Sequence, residues 1–112
     1  MRQVNDNIIP IQAAASVNSA AIPALNLFYC SAQIAATGSA AGTMKLQASN
    51  DSSDAINFAP ANWSDIPSAT VSVSGTGAFI IPKTDLCYQY VRIVYSNSGT
   101  GTISIVFKAL GA

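Results

Sequence analysis

Asn50, Asp51, Ser52 and Asp54 bring four oxygen-bearing side chains together, and the chain's one tryptophan, Trp63, follows beside Asn62 and Asp65. Oxygen donors at this spacing suit Ca2+, but the run lacks the glycine and the closing glutamate of an EF-hand loop. No metal is expected here. A second chemistry is sugar binding, with Trp63 as a stacking platform and Asn50, Asp51, Asn62 and Asp65 bonding hydroxyls. Against both stands a structural reading. Asn and Asp in such runs bond their own backbone in Asx-turns. A lone tryptophan in a small β-domain plugs one end of the fold, its N–H on a loop carbonyl. Residues 49–67 are therefore read as a connection between strands that meets a neighbouring subunit, with sugar binding the less favoured alternative.

Catalysis has little to work with. The chain contains no histidine and no glutamate. Acid–base and nucleophilic mechanisms need a group that titrates near working pH and a partner to orient it. The aspartates Asp6, Asp51, Asp54, Asp65 and Asp85 all sit in polar, turn-like contexts, and no serine lies in a nucleophile-elbow motif. Asp51 and Asp65 could meet as a carboxylate pair across the loop, but Asx-turns explain them more simply. The expectation is no enzyme, no catalytic residue and no cofactor. Cys30 and Cys87 fit no CxxC or Cys/His spacing. Both fall on the inward phase of apolar runs and are read as free, buried thiols.

The elements that must position these residues are strands. The one helix candidate, IQAAASVNSAAIPAL, is bracketed by Pro10 and Pro23 and shows no apolar stripe. Residues 1–24 are read as an extended arm or first strand, with Ile8, Ile9, Ile11 and Ile22 set against other chains. Alternation of apolar and polar residues marks half-buried strands. In residues 25–37 it places Phe28, Cys30, Ala32, Ile34 and Ala36 inward. In TMKLQAS it turns Met44, Leu46 and Ala48 inward, and in ATVSVSG Val71 and Val73. GAFIIP is a short strand stopped by Pro82. Residues 86–96 put Val91, Ile93 and Tyr95 on one phase and Tyr88, Tyr90, Arg92 and Val94 on the other. TISIVFKAL closes the chain with Ile103, Ile105 and Phe107 inward. The turns GSAAG and NSGTG read as two hairpins. Arg92, on an aromatic face, is expected to stack on Tyr88 or Tyr90 or to pair with a loop aspartate.

About seven strands with turn signals between them predict one all-β domain over residues 1–112: an antiparallel β-sandwich or jelly roll. The apolar character of both phases in 25–37 and 86–96 suggests central strands, or strands whose outer face another subunit covers. Composition agrees with a covered surface. Charged residues make up 9% of the chain and hydrophobic ones 50%, against about 25% charged in an average soluble domain. That hydrophobicity excludes a disordered chain. No apolar run approaches the roughly 20 residues of a spanning helix, so no membrane partner is expected. The five basic residues are scattered and net charge is zero, which argues against a nucleic-acid partner. The start MRQVNDN leads into no signal-peptide core, so export is not expected.

The order GTMKLQASND … NWSDIPSATVSVSG … YQYVRIVYSNSGTGTISIVFKALG resembles a group of small virion proteins of tailed bacteriophages. The matching segments are residues 42–51, 62–66, 88–95 and 98–101, and the resemblance covers about residues 42–112. It implies a β-sandwich structural protein of the particle: a capsid decoration, cement or minor capsid protein, or a tail, collar or head–tail junction component. Its partners would be the major capsid protein or copies of itself in a homo-oligomer, in a virion assembled in the host cytoplasm. A reducing cytoplasm agrees with free cysteines. The ASND … NWSDI … YVRI order also looks like the discoidin or galactose-binding-like sandwich, which is normally longer. The candidate interface residues are Ile8, Ile9, Ile11, Trp63, Tyr88, Tyr90 and Arg92.

Overall fold

The computed structural model describes residues 2–24, 27–51 and 59–111, with side chains for all of these except 2–7 and 82–84. Every regular element among them is a strand: β1 (Arg2–Ala13), β2 (Val17–Asn18), β3 (Ile22–Pro23), β4 (Leu27–Thr37), β5 (Ala41–Ser49), β6 (Ser64–Ser74), β7 (Gly77–Asp85), β8 (Tyr90–Asn97) and β9 (Thr102–Gly111). They form two antiparallel sheets. One has the order β1-β9-β4-β7. The other runs β2-β8-β5-β6, with β3 also on β8. The β-sandwich predicted from alternation is therefore present, with nine strands rather than about seven.

The order is that of a jelly roll. The chain repeatedly leaves one sheet for the other, and β5–β6 is the one consecutive pair bonded to each other among the described strands. β2 and β3 act as one interrupted strand along the edge of β8. The interruption is bridged by Ser19. Its N–H donates to Ile93 O at 2.8 Å, and its hydroxyl accepts the Ile93 N–H at 2.8 Å. A side-chain oxygen thus replaces a ladder carbonyl where the backbone turns away.

The two hairpins read from GSAAG and NSGTG are corrected. β4 and β5 lie in different sheets, and so do β8 and β9. A tight Gly-rich turn can join paired strands or carry the chain between sheets, and local sequence does not distinguish the two. These turns cluster at one end of the sandwich. Thr100 N–H donates to Ser39 O at 3.1 Å, Ser98 N–H to Ala41 O at 2.9 Å, and Gly75 N–H to Ala40 O at 2.7 Å. Gly101, at φ 102°, lies so close to Thr37 that a Cβ there would overlap its carbonyl oxygen.

The inward phases form the core. Cys30, Ala32, Ile34 and Ala36 from β4 meet Met44, Leu46 and Ala48 from β5. Val91, Ile93 and Tyr95 from β8 and Ile103, Ile105 and Phe107 from β9 complete it. Strands β4 and β8, apolar on both phases, are inner strands of their sheets. Tyr95 is buried, and its hydroxyl donates to Ala41 O at 3.1 Å, with Asn97 Oδ1 at 3.2 Å as a second acceptor.

Two inward assignments are corrected. Phe28 is 51% exposed while Leu27 is buried. The pairing of β4 with β9 shifts between Leu27 and Tyr29, and such a bulge reverses the phase of the residues before it. Cys87 is exposed because β8 begins only at Tyr90, leaving residues 86–89 outside the ladder. Both cysteines are free. Residues 1–24, read as an arm or first strand, contribute strand β1, paired along β9 of the same chain. Pro10, which has no N–H to give a ladder, is accommodated because β1 is an edge strand with register shifts on either side of Ile9.

Candidate functional site

The end of the sandwich opposite the tight turns carries the β5–β6 connection. Asp51 organises it. Its Oδ2 accepts the backbone N–H groups of Ala61 and Asn62, both at 2.9 Å, and Asn62 Nδ2 donates to Oδ1 at 3.1 Å. Asp51 N–H in turn donates to Ser49 Oγ at 3.1 Å. These donors favour the ionised form and hold the carboxyl below its usual range, the Asn62 N–H contributing most. Asn50 Oδ1 accepts the Gln89 N–H at 3.0 Å, tying the connection to the segment before β8. Asp51 thus ties the loop together structurally, but through N–H groups ten and eleven residues on rather than through the expected Asx-turn. Ser52 and Asp54, two members of the Ca2+ reading, lie outside the described residues.

Trp63 closes the loop. Its Nε1–H donates to Pro60 O at 3.2 Å, the loop carbonyl bond expected of a plug. The Arg92 guanidinium lies over its ring, 4.5 Å from the centroid. Arg92 thus stacks on Trp63, not on Tyr88 or Tyr90. Its Nε–H donates to Gln47 Oε1 at 2.9 Å, where the sequence reading had a loop aspartate. The register explains this: Gln47 of β5 is the Cα partner of both Arg92 on β8 and Asp65 on β6. Side chains directly across an antiparallel pair lie on the same face and within reach of one another.

The row continues beyond Gln47. Its Nε2 donates to Asp65 Oδ1 at 2.9 Å, and Lys45 Nζ lies 3.2 Å from Asp65 Oδ2. Gln47 first and Lys45 second hold the Asp65 carboxyl below its usual range. Asp51 and Asp65 are therefore engaged with different partners, and no carboxylate pair forms. Alternation places Lys45 and Gln47 on the outward phase of a strand whose inward phase is Met44, Leu46 and Ala48; it does not give their partners.

Beside this network is a pocket of about 180 Å³ whose walls include Asn50, Asn62, Ser64, Asp65 and Tyr88. Tyr88 is half-buried against the core, and Tyr90 is half-buried at the start of β8. Of the N-terminal interface candidates, Ile9 is a core residue, Ile8 packs half-buried against the core, and Ile11 is 79% exposed. Trp63, Tyr88 and Arg92 come together at the loop end; Ile8, Ile9 and Ile11 belong to the other sheet.

A second surface lies on the outer face of the sheet β1-β9-β4-β7. Tyr29 pairs across to Leu110, and Gln33 stands between Ile80 and Val106. Tyr29, Ile80, Val106 and Leu110 are all exposed, Ile80 at 55%. Ile80 and Val106 were legible too: each is an apolar residue on the outward phase, between Phe79 and Ile81 and between Ile105 and Phe107.

No protein-family model matches the chain, and no curated protein does. Among solved structures, a crystal structure of PirA superposes with a TM-score of 0.53 at 16% identity, covering 94% of this chain and 92% of that one. The coat protein of tobacco streak virus gives a TM-score of 0.38 at 12% identity, over 98% of this chain and 88% of that one. What the chain shares with PirA, at that identity, is its fold.

Proposed function

We propose that the protein is a non-enzymatic structural component of a phage particle, a capsid decoration, cement or minor capsid protein that works through contacts between subunits. The observation that carries this is the outer face of the four-stranded sheet. Tyr29, Ile80, Val106 and Leu110 stand exposed there on paired strands, with Ile11 exposed on the edge strand β1. The charges that the described side chains add are Lys108 within the face and Asp85 at its end. Interface cores are depleted of charge and enriched in aromatic residues, and exposed apolar patches mark interaction sites. A jelly roll suits the role, because it presents two broad, stiff faces on a small chain; capsid and lectin domains both use it. The partner is the major capsid protein or a neighbouring copy. Many such contacts on one particle give avidity that a single weak contact lacks.

The test is immunogold labelling, with an antibody to this chain, of gradient-purified particles made by the genome that encodes it. Regular label on the head supports the reading. Label on the tail or collar would replace decoration by a tail or junction role. Particles free of the protein would overturn the proposal.

A further inference from the structure

We propose that the pocket beside the β5–β6 connection binds one uncharged polyhydroxylated ring, a single sugar unit of a glycan. The proposal is independent of the particle role and rests on how the loop commits its polar atoms. Asn62 gives its Nδ2 to Asp51, which leaves Oδ1 as an acceptor. Asn50 gives its Oδ1 to the Gln89 N–H, which leaves Nδ2 as a donor. Among the described residues, Asn62 Oδ1 and Asn50 Nδ2 are left as one acceptor and one donor on two residues that line the same pocket, with the Ser64 hydroxyl able to serve as either. Neighbouring hydroxyls on a ring, each both donor and acceptor, match this set. The Tyr88 side chain supplies an aromatic wall, and rings of this kind pack the apolar face of a sugar.

Charge selects against other ligands. The Asp65 carboxylate lines the pocket and disfavours an anion. It is also already satisfied by Lys45 and Gln47, and the Asp51 oxygens are taken by Ala61 and Asn62, so a cation meets no free pair of carboxylates. A neutral polar molecule remains. The volume of about 180 Å³ is below the roughly 300–1,000 Å³ of pockets for drug-sized ligands, which limits the occupant to one small ring. The structure revises the sugar chemistry read from the sequence: Trp63 has one face under Arg92 and Asp51 is spent on the loop, so Tyr88 takes the place of Trp63 while Asn50 and Asn62 keep their part.

The experiment titrates the 15N-labelled protein with glucose, galactose, mannose and N-acetylglucosamine, with inorganic phosphate and Ca2+ as charged probes. At least one sugar should shift the side-chain amide signals of Asn50 and Asn62 saturably, with a Kd on the order of millimolar. Asn50→Asp keeps an oxygen for the Gln89 N–H but removes the donor. It should weaken that sugar about 2- to 10-fold with an unchanged melting temperature. Tyr88→Leu, which keeps apolar packing but loses the ring, should weaken it as well. Sugars that leave both amide signals unmoved would overturn the proposal. So would binding that Asn50→Asp does not alter, or phosphate or Ca2+ moving these signals while sugars do not.

Discussion

At the scale of single residues, side-chain type and phase were legible, and partner identity was not. Trp63 bonding a loop carbonyl follows from the behaviour of a lone indole in a small β-fold. The Arg92–Trp63 stack does not, because it depends on Gln47 standing opposite both Arg92 and Asp65, a register that no local pattern encodes. Arg92→Ala should lower stability by about 0.5–2 kcal/mol and change Trp63 fluorescence; an unchanged emission would dissociate the two residues. The cysteines separate clearly. Burial pushes the Cys30 thiol up to about 12, while Cys87 is exposed. Thiolate is the reactive form, so iodoacetamide at neutral pH should label Cys87 in the folded protein and Cys30 only after denaturation. Equal labelling of both in the native state would contradict this packing. Asp51 makes the loop pH-sensitive. Its carboxyl is held below the unfolded value by backbone donors. Its stabilisation is therefore complete above the unfolded value of about 3.9 and lost as pH falls through the lower folded one. Trp63 fluorescence should report a loop transition on acidification below about pH 4. Asp51→Asn can still accept both N–H groups at its one oxygen, but it carries no titrating charge and sets an NH2 group against Asn62 Nδ2, so its Trp63 spectrum should not change with pH over this range. A variant that matches wild type across the titration would remove Asp51 from this role.

At the scale of elements, alternation identified the strands β4, β5, β8 and β9 and most of their inward residues, but only the second half of β6. The start of β6 at Ser64, with buried Ile66, falls in the 49–67 stretch read as a connection. Strand β7, read as stopped by Pro82, runs on to Asp85 because an edge strand tolerates proline. It failed where the backbone departs from a regular pleat. The bulge near Phe28 reversed one phase, and the late start of β8 exposed Cys87. The two-residue strands β2 and β3 were invisible because they are too short to alternate and are held by Ser19 as much as by ladder bonds. Hairpin and inter-sheet turns look alike in sequence, so the jelly-roll path was open until the sheet order was known. Gly101 belongs to that path. Ala at 101 would need an unfavourable φ and would press on the Thr37 carbonyl, so Gly101→Ala should cost at least about 1 kcal/mol. Gly75→Ala is a control for the backbone term alone, since nothing lies near its Cβ position, and it should cost less. The reverse order, read from urea melts, would argue against the close turn–turn contact. On β9, Phe107 is fully buried, and Phe107→Ala should cost about 3–5 kcal/mol, a large share of the roughly 5–15 kcal/mol of a domain.

At the scale of the whole molecule, the sandwich sorts its chemistry by face and end. The outer face of the β2-β8-β5-β6 sheet carries the Lys45, Asp65, Gln47 and Arg92 network, the loop end carries the small polar pocket, and the outer face of the other sheet sets exposed Tyr29, Ile80, Val106 and Leu110 among Ser31, Gln33, Ser104 and Lys108. The low charge of the sequence pointed to a covered surface without saying which one. Ile80 and Val106, exposed on the strands either side of β4, are the reason the proposal assigns it to this face. The measurement that tests the assembly role most directly is the copy number of the protein in purified particles, wild type against Ile80→Asp/Val106→Asp, quantified by mass spectrometry. Both side chains point outward, so the variant should melt within about 1 kcal/mol of wild type, about 0.5 kcal/mol for each site. The account expects wild type at a fixed ratio to the major capsid protein and the folded variant depleted from the particles. Equal incorporation of the two, or absence of the wild-type chain from the particles, would contradict it.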